Sequence, residues 1–566
     1  MKRSIDGGEA LLAAFRTLEA DYIFCCSGSE WAPVWEALAR QQLEGTAGPK
    51  YIDTWHETVS VGMAAGYALI KRRAQPVLLH AGPGLLQGAC AVHGALLTGV
   101  PMLVLSSESI TYGERPGCDP GSQWYRNLSV VGGPHALVPQ IFKWANQAPT
   151  VETLFEMVVR AAELSERPPA APCYLNVPVE VLLEPWNGSS RSRTVAPPGR
   201  KISPPAEIDE LAEQLCNAAN PVLLTETAGR DADSFRALAE LCELLAIPVI
   251  EPQGAVSANF PRNHPMHLGS STEQLSKDAD LVLLVNCRAP WYPPSSAPAA
   301  MTICIDEVPQ RPHIVYQVLR ADRYLEGAVA DTLQMTLAAV KKRRLDDAIV
   351  ASRRARHSES HNKLIASVEQ AERKSLARTD QIDAVRLVTE LRELTSSDTL
   401  FVDETITHSR VLQQHLRLDE PNRYFYVQGG LGQGIAVALG IKLAARAKPV
   451  VLAIGDGSFI YNPTLASLAA ARDLELPLLI VIFNNRQYLS MKYNHLRAYP
   501  DGAAVSSGMF LGVNLATQPD LASFAGPFNM LGMTIQQPNE LRPGLQAALQ
   551  AVSNGQTAIV NVMLEK

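Results

Sequence analysis

One carboxylate and a pair of amides in the last third of the chain have the residue types and spacing of a cation site. Asp456 follows the apolar run 449–454, and Asn484-Asn485 follows the apolar run 477–483. In a parallel βαβ unit the ends of both strands meet at one edge of the sheet. One carboxylate and one amide are few ligands, and Mg²⁺ accepts such a set when phosphate and water complete its octahedron. These residues therefore predict a magnesium site that also holds a diphosphate.

Glu57 has the surroundings of a carboxyl group that exchanges protons. It begins the run 57–68, which consists almost wholly of small and apolar residues and predicts a helix buried on all sides. A glutamate at a helix N-terminus can simply complement the helix dipole. A buried glutamate is seldom without a task, however, and burial raises the pKa of a carboxyl group.

A glycine-rich segment offers backbone that can approach a ligand closely. Gly429, Gly430 and Leu431 lie in a predicted turn between a short strand and a helix. Upstream, another predicted strand is followed by Thr405 and Thr407. Their hydroxyl groups could bind the diphosphate, and either could equally cap a helix.

These segments together resemble the signature of the thiamine-diphosphate enzyme family, in which Gly-Asp-Gly and Asn-Asn are separated as they are here. The run His-Glu-Thr-Val-Ser-Val-Gly-Met-Ala-Ala-Gly-Tyr-Ala also resembles the family's segment around its glutamate. The resemblance implies that Glu57 contacts N1′ of the aminopyrimidine ring. It implies that Mg²⁺ is held by Asp456, Asn485 and the main-chain carbonyl of Gln487. It implies cofactor contacts from Glu57, Thr405, Thr407, Gly429, Gly430, Leu431, Gly455, Asp456, Gly457, Ser458, Asn485, Gln487 and Tyr488.

The resemblance also implies that one subunit supplies the glutamate while another supplies the magnesium and diphosphate site. We therefore expect a homodimer or homotetramer with active sites at the dimer interface. The expected substrate is a small 2-oxo acid.

Three further residues are predicted to be catalytic. Ser29 lies in a small-residue turn after a strand, where its hydroxyl can donate to a substrate carboxylate. His80 ends the next strand and resembles the pocket histidine of benzoylformate decarboxylase, which can move a proton at the reacting carbon. Gln123 resembles a glutamine of acetolactate synthases and pyruvate oxidases. The predicted substrate pocket is completed by Trp291, Ser490 and Met491, and core packing is the alternative for both His80 and Met491.

The predicted function is non-oxidative decarboxylation of a 2-oxo acid, as in benzoylformate decarboxylase, with carboligation of the intermediate as an option. The alternative is an acetolactate synthase-like carboligase with or without FAD. FAD is not favoured, because the segment 225–231 has no glycine-rich dinucleotide turn.

Two remote alternatives are a dinucleotide-dependent oxidoreductase and an inactive regulatory homologue. The first requires a third small residue at position 435 or 437, where Ile435 and Val437 stand. Intact Glu57, Asp456 and Asn485 argue against the second.

Three blocks of alternating helix and strand patterns must position these residues. We expect an α/β protein with three doubly wound parallel-sheet domains. The predicted domains are a pyrimidine-binding domain at 1–183, a central domain at 206–340 and a diphosphate-binding domain at 380–566. The charged segment 341–374 predicts a solvated helical connector, and the helix after Asp456 is predicted at 463–474.

Bulk properties of the 566-residue chain exclude some classes of function. The net charge of −7 argues against nucleic-acid binding. The apolar stretch 76–106 is cut by Gly82-Pro83-Gly84, so each piece is too short to span a membrane, and we predict a turn there. Nine cysteines without a Cys-x-x-Cys pair favour reduced thiols and a cytoplasmic location.

Overall fold

The structure is a computed structural model that describes residues 5–565 except 112–113, 131, 189–193, 253, 273–277, 292, 312–313 and 315–319. Three parallel β-sheets flanked by helices organise the chain, which confirms the predicted fold class. Among the described residues, no helix has both the length and the apolar character needed to cross a membrane.

The first sheet has the strand order β2-β1-β3-β4-β6-β5. Its strands are β1 (Tyr22–Cys26), β2 (Lys50–Thr54), β3 (Pro76–Leu79), β4 (Met102–Ser106), β5 (Trp144–Gln147) and β6 (Pro172–Asn176). The accompanying helices are α1 (Gly7–Thr17), α2 (Ala32–Glu44), α3 (Glu57–Lys71), α4 (Ala81–Thr98), α5 (Pro134–Leu137), α6 (Val151–Glu166) and α7 (Val179–Leu182). Strands β3 and β4 are buried along their whole length and are apolar except for Ser106, because helices cover both faces of the sheet.

The glycine-rich turn predicted at Gly82-Pro83-Gly84 is wrong. These residues form the first turn of α4, which begins directly after β3 and His80. Proline is compatible with a first helical turn because its missing N–H has no intrahelical acceptor there. The end of β3 is therefore also the N-terminus of a helix.

The central sheet has the order β11-β10-β9-β7-β8. Its strands are β7 (Pro221–Thr225), β8 (Val249–Ile250), β9 (Leu281–Val285), β10 (Met301–Asp306) and β11 (Arg323–Glu326). The helices of this region are α8 (Pro205–Asn217), α9 (Ala232–Leu245), α10 (Val329–Lys341) and the connector α11 (Asp347–Leu376).

The connector is helical as predicted, but the expectation that it is solvated is wrong for one face. Arg353, His357 and His361 are buried. Arg353 donates to the carbonyl oxygen of Leu245 over 3.3 Å, and His361 Nδ1 lies 2.8 Å from the carbonyl oxygen of His267. The charged side chains that define the segment therefore include anchors to the central domain.

The third sheet has the order β13-β12-β14-β15-β17-β16. Its strands are β12 (Leu400–Glu404), β13 (Tyr424–Tyr426), β14 (Val450–Gly455), β15 (Leu479–Asn484), β16 (Leu531–Ile535) and β17 (Ala558–Met563). The helices in this part of the chain are α12 (Ala384–Leu394), α13 (Ser409–His415), α14 (Gly434–Ala444), α15 (Asp456–Tyr461), α16 (Thr464–Asp473), α17 (Leu489–Ala498), α18 (Ala503–Ser507) and α19 (Pro538–Ser553).

The chain divides into two compact units. The first unit contains Met1–Pro198 together with Val427–Ala447 and Ser458–Leu478. The second contains the ranges Gly199–Tyr426, Lys448–Gly457 and Leu479–Lys566. Helix α14 thus belongs to the same unit as the first sheet, and the boundaries predicted for the three domains stay predictions.

Helices α3 and α14 cross closely within the first unit because glycines lie at their contact. A Cβ atom on Gly440 would be 2.0 Å from the carbonyl oxygen of Met63. A Cβ atom on Gly66 would be 2.1 Å from the carbonyl oxygen of Val437. The helix that begins with Glu57 is therefore held by direct backbone contact.

Candidate cofactor and catalytic site

Asp456 lies at the carboxyl end of β14 in the second unit, opposite the end of β15. The parallel register pairs Gly455 with Phe483, so Asp456 and Asn484 follow neighbouring strands at one edge of the sheet. Asp456 is 2% exposed and begins the short helix α15, which was not predicted, whereas the helix predicted at 463–474 corresponds to α16. Burial raises the pKa of the Asp456 carboxyl group to about 6. A nearby cation would offset this cost of ionisation.

The two asparagines have different environments. Asn484 uses its amide within the protein: Nδ2 donates to Asn561 Oδ1 over 2.9 Å, and Oδ1 accepts from the N–H of Arg486 over 3.1 Å. Asn485 Oδ1 accepts from the N–H of Gln487 over 2.9 Å and keeps a second lone pair. Asn485 is therefore better suited than Asn484 to bind a cation.

Gln518 belongs to this edge, and the sequence analysis missed it. Its Nε2 lies 3.5 Å from Asp456 Oδ2 and 2.7 Å from Asn484 Oδ1. Its buried Oε1 has no hydrogen-bond partner among the described residues. Gln518 lies in an irregular segment without a motif, so only the fold brings it to Asp456.

The donors at this edge fit a Mg²⁺ ion that is bound together with a diphosphate. No group of three His, Cys, Asp or Glu side chains suited to a metal occurs in the part of the chain that the structure describes. Asp456 contributes one carboxylate, and Asn485 and Gln487 offer neutral oxygens. This set is too small for an all-protein Ca²⁺ site and suits Mg²⁺, which retains phosphate and water ligands.

Gly457 and Tyr488 pack directly against each other at the same edge. A Cβ atom on Gly457 would lie 2.4 Å from Cε1 of the Tyr488 ring, so only glycine fits at this position. The N–H of Tyr488 donates to the carbonyl oxygen of Val513 over 2.9 Å. Ser458, in the first unit, is buried, and its carbonyl oxygen accepts from Asn462 Nδ2 over 2.8 Å.

The two threonines predicted to contact the diphosphate have different environments in the turn after β12. Thr405 Oγ1 donates to Asp403 Oδ1 over 2.8 Å and is buried. Ile406 has φ 57°, a left-handed conformation that is strained for a β-branched residue. Thr407 is half-buried, and its hydroxyl has no hydrogen-bond partner among the residues that are described. Thr407 is therefore the better candidate to donate to a diphosphate.

Glu57 begins α3 in the first unit and is half-buried. A Cβ atom on Gly84 would lie 2.9 Å from Glu57 Oε1, so the carboxyl group lies against the backbone of α4. Burial and the neighbouring Glu57 carboxylate raise the pKa of the Cys26 thiol well above its usual range. Cys26 is thus a protonated neighbour of Glu57 that the sequence analysis did not identify.

His80 and Glu30 form a dyad at the end of β3, which the sequence analysis also missed. His80 Nδ1 lies 2.9 and 3.0 Å from the two carboxylate oxygens of Glu30. The Glu30 side chain is 1% exposed and also accepts from the N–H of Ala81 over 2.9 Å. The hydrogen bond that His80 donates to Glu30 raises the pKa of His80, against the opposing effect of burial. Glu30 therefore orients the imidazole and favours its protonated form.

Glu108 is a further ionisable group at the end of β4. It is 1% exposed, and burial raises its pKa to about 6. One carboxylate oxygen accepts from the N–H of Val130 over 2.8 Å, and Oε2 has no partner among the described residues. Oε2 is 3.3 Å from the position of a Cβ atom on Gly82, in the first turn of α4. The ends of β3 and β4 thus carry His80 and Glu108.

The glycine turn before α14 packs against α4 within the first unit. Gly429 and Gly430 have φ 90° and 110°, which only glycine adopts without strain. A Cβ atom on Gly429 would lie 2.3 Å from the Cα of Gly94. Leu431 is half-buried beside them.

The other predicted residues are not brought together by a described contact. Ser29 and Gln123 are exposed in the first unit. Trp291 packs at the margin of a central-sheet cluster in the second unit. Ser490 and Met491 lie on α17, and Met491 is 49% exposed, which argues against a core-packing role.

Comparison with protein families finds a match in each of the three sheet regions. The C-terminal thiamine pyrophosphate binding domain matches residues 405–562, the N-terminal thiamine pyrophosphate binding domain matches 5–127, and the thiamine pyrophosphate enzyme central domain matches 208–335. The chain belongs to the thiamine pyrophosphate enzyme family. It is a thiamine-diphosphate-dependent enzyme of the lyase and carboligase type.

Curated relatives include two decarboxylases and a carboligase. The probable 2-ketoarginine decarboxylase of Pseudomonas aeruginosa is 26% identical over 86% of this chain and 83% of its own length. Benzoylformate decarboxylase of the same organism is 26% identical over 78% of this chain and 80% of its own. The large subunit of acetolactate synthase isozyme 3 of Escherichia coli is 23% identical over 99% and 95%.

A solved structure supports the fold. Benzoylformate decarboxylase from Polynucleobacter necessarius superposes with a TM-score of 0.80 at 18% identity, over 99% of this chain and 98% of that chain.

Proposed function

We propose that this enzyme carries out Mg²⁺-dependent, non-oxidative decarboxylation of a 2-oxo acid. The proposed dependence on Mg²⁺ is supported by the edge of the third sheet that carries Asp456 and Asn485. There a buried carboxyl group with a raised pKa and neutral oxygens follow neighbouring strands. The 2-oxo acid part is supported by the two decarboxylases among the relatives.

The residues of the second unit would hold the cofactor by its diphosphate. Asp456, Asn485 and the carbonyl of Gln487 would bind Mg²⁺, and Thr407 would donate to a phosphate oxygen. Thiamine diphosphate, when bound, would supply the carbon that adds to the substrate carbonyl, and its ring would accept the electron pair that remains when CO₂ leaves. Gly457 leaves room for Tyr488 at this edge.

In the first unit, Glu57 and His80 would handle protons. Glu57 would hold a proton at N1′ of the aminopyrimidine ring, with Gly429, Gly430 and Leu431 in contact with the ring. His80, kept protonated by Glu30, would donate a proton near the substrate. Ser29 lies on the turn beside Glu30 and would donate to the substrate carboxylate, with Gln123, Trp291, Ser490 and Met491 as further pocket residues.

The arrangement around α4 supports an active site built from two copies of the chain. Glu57 lies against Gly84 and Gly88 of this helix, whereas the Gly429 turn lies against Cys90 and Gly94. At roughly 100° per residue these two pairs lie on different sides of the helix, roughly 120° apart. Glu57 and the glycine turn of its own chain thus contact different sides of α4, which supports the proposal that a second copy supplies the turn at each active site.

The buried carboxylate of Glu226 argues against FAD in the central domain. Glu226 follows β7 and accepts from the N–H groups of Arg288 and Ala289 after β9, each over 2.9 Å. A dinucleotide pyrophosphate binds at this edge of a doubly wound sheet, on free N–H groups. Here those groups already bind a carboxylate, so the residues do not fit the pyrophosphate.

Carboligation of the acetolactate synthase kind is the second candidate, because the Escherichia coli relative aligns with nearly the whole chain. One experiment tests both. The protein is incubated with thiamine diphosphate, Mg²⁺ and a panel of 2-oxo acids that differ in side-chain size and charge, and CO₂, aldehydes and ligated products are resolved.

We expect CO₂ from at least one acid, with an aldehyde as the main product. A 2-hydroxy-3-oxo acid as the main product would support the second candidate instead. If no member of the panel released CO₂ above a control without thiamine diphosphate, the proposed reaction would be wrong.

A further inference from the structure

The second unit contains a cavity that includes none of the residues assigned above. Its volume is about 220 Å³. It is lined by the segment that follows β8, by one face of the connector helix α11, and by α13 with the residues after it. A cavity of this size suits a ligand smaller than a cofactor.

Three arginines make part of the lining cationic. Arg262 pairs with Glu251 over 2.9 Å, and Arg417 pairs with Glu372 over 3.0 Å. Arg410 contacts the Ser270 hydroxyl over 3.5 Å and has no carboxylate partner among the residues that the structure describes. One positive charge at the cavity is therefore left without a counterion in the described part of the chain.

Two buried nitrogen atoms of residues that line the cavity have no hydrogen-bond partner in the described structure, namely His267 Nδ1 and Arg417 Nε. His267 is 4% exposed, and its Nε2 lies 3.1 Å from Arg262 and 3.2 Å from Glu251 Oε2. Arg417 Nε always carries a hydrogen, so it is a donor without an acceptor among the described residues. Because buried donors are normally satisfied, a ligand with acceptor oxygens is indicated.

Part of the cavity lining is apolar. Leu364, Ile365 and Val368 lie on one side of α11 and line the same space as the arginines. We propose that this cavity binds a small organic carboxylate with a short aliphatic chain. The carboxylate interacts with Arg410 and Arg417, and the chain packs on α11.

The test uses 3-methylbutanoate as the probe and isothermal titration calorimetry on the full-length protein with thiamine diphosphate and Mg²⁺. Inorganic phosphate and 3-methylbutylamine are titrated in parallel. We expect saturable binding of 3-methylbutanoate at one site per chain. Phosphate should bind at least tenfold more weakly because it gains nothing from the apolar wall, and the amine should not bind.

Two variants and a control separate this cavity from the catalytic site. Arg410→Gln removes the positive charge that has no carboxylate partner among the described residues, and Ile365→Asp places a negative charge, like that of the ligand, among the apolar lining residues. Each should weaken 3-methylbutanoate binding at least tenfold. Arg236→Gln changes an exposed arginine on α9 that pairs only with Asp233 among the described residues, and it should bind as the unmodified protein does.

Unchanged binding by Arg410→Gln would overturn the proposal, since the ligand would then lie elsewhere. Absence of saturable binding to the unmodified protein, or equal affinity for phosphate, would do the same. If Arg410→Gln does not fold, as judged by circular dichroism, the result for Ile365→Asp decides.

Discussion

At the scale of single residues, the His80–Glu30 dyad makes the pH profile the most informative measurement. The hydrogen bond that His80 donates to Glu30 raises the pKa of His80, so a step that needs protonated His80 is lost only as the pH rises through that raised pKa. Glu30→Gln keeps an acceptor for the N–H of Ala81 but removes the charge. We expect the alkaline limb of kcat/KM to move to lower pH in this variant.

Two other carboxyl groups near His80 are present in both proteins, so the prediction concerns the difference between the two pH profiles. Glu108 has a pKa of about 6, and the Glu57 carboxylate also raises the pKa of His80. Both remain in Glu30→Gln and in the unmodified protein. An alkaline limb at the same pH in both proteins would contradict the role of Glu30 as the positioning residue for His80.

Asp456 links stability to pH before any cation is bound. Its folded pKa of about 6 is above its ordinary value of 3.8, so the cofactor-free protein is most stable below pH 4 with respect to this group and loses that stability as the pH rises through 6. A rise of about two pKa units corresponds to a loss of about 3 kcal/mol in the free energy of unfolding. Asp456→Asn should remove this loss, as measured by urea unfolding between pH 4 and pH 8.

The exposed Asp473 provides the control, because Asp473→Asn should leave the pH dependence unchanged. Mg²⁺ and thiamine diphosphate together should restore the stability of the unmodified protein at pH 8. They should not stabilise Asp456→Asn to the same extent. Equal stabilisation of both proteins would place the metal elsewhere.

At the scale of elements, the crossing of α3 and α14 depends on glycine. A Cβ atom on Gly440 would meet backbone at 2.0 Å, which no side-chain rotation can relieve. Gly440→Ala should therefore lower the free energy of unfolding by about 2–3 kcal/mol. Gly526→Ala is the control, because a Cβ atom there has nothing within 4 Å and should change stability by less than about 0.5 kcal/mol. Similar thermal unfolding of both variants would show that the helices can separate at low cost.

The edges of the sheets could be predicted from sequence because strand ends are marked by residue type. Apolar runs that stop at Asp456 and Asn484 determine both the strands and the edge at which these residues meet. The start of α15 at Asp456 was missed, since Gly455-Asp456-Gly457 favours a turn when only local preference is considered. In the structure, Asp456 directly follows the strand and begins the helix, where it is buried and contacts Gln518, and this tertiary environment outweighs the local preference.

Residues that depend on long-range contact could not be predicted. Glu30 reaches His80 from a different strand end, and Gln518 reaches Asp456 from an irregular segment. Neither has a periodicity or spacing that marks it. The buried face of α11 was missed for the same reason, since a helix rich in Arg and His is ordinarily solvated and only its contact with the central domain explains His361.

At the scale of the whole molecule, the proposal that two copies build each active site predicts complementation between inactive variants. Glu57→Gln would remove the proton-handling group from the first unit, and Asp456→Ala would remove the metal ligand from the second. Each variant alone should be inactive. In a mixed dimer, one site would receive an intact Glu57 from one copy and an intact Asp456 from the other.

Random exchange of subunits makes half of the dimers mixed, and each mixed dimer has one intact site out of two. We therefore expect a mixture of the two variants, after reversible dissociation, to regain about a quarter of the activity of the unmodified enzyme. Mixing either variant with more of itself is the control and should recover nothing. If both residues acted within one chain, no combination of the variants could assemble an intact site. A mixture that stayed inactive after verified subunit exchange would therefore refute the two-copy site. It would not contradict the proposed roles of Asp456 at the magnesium site or of the His80–Glu30 dyad.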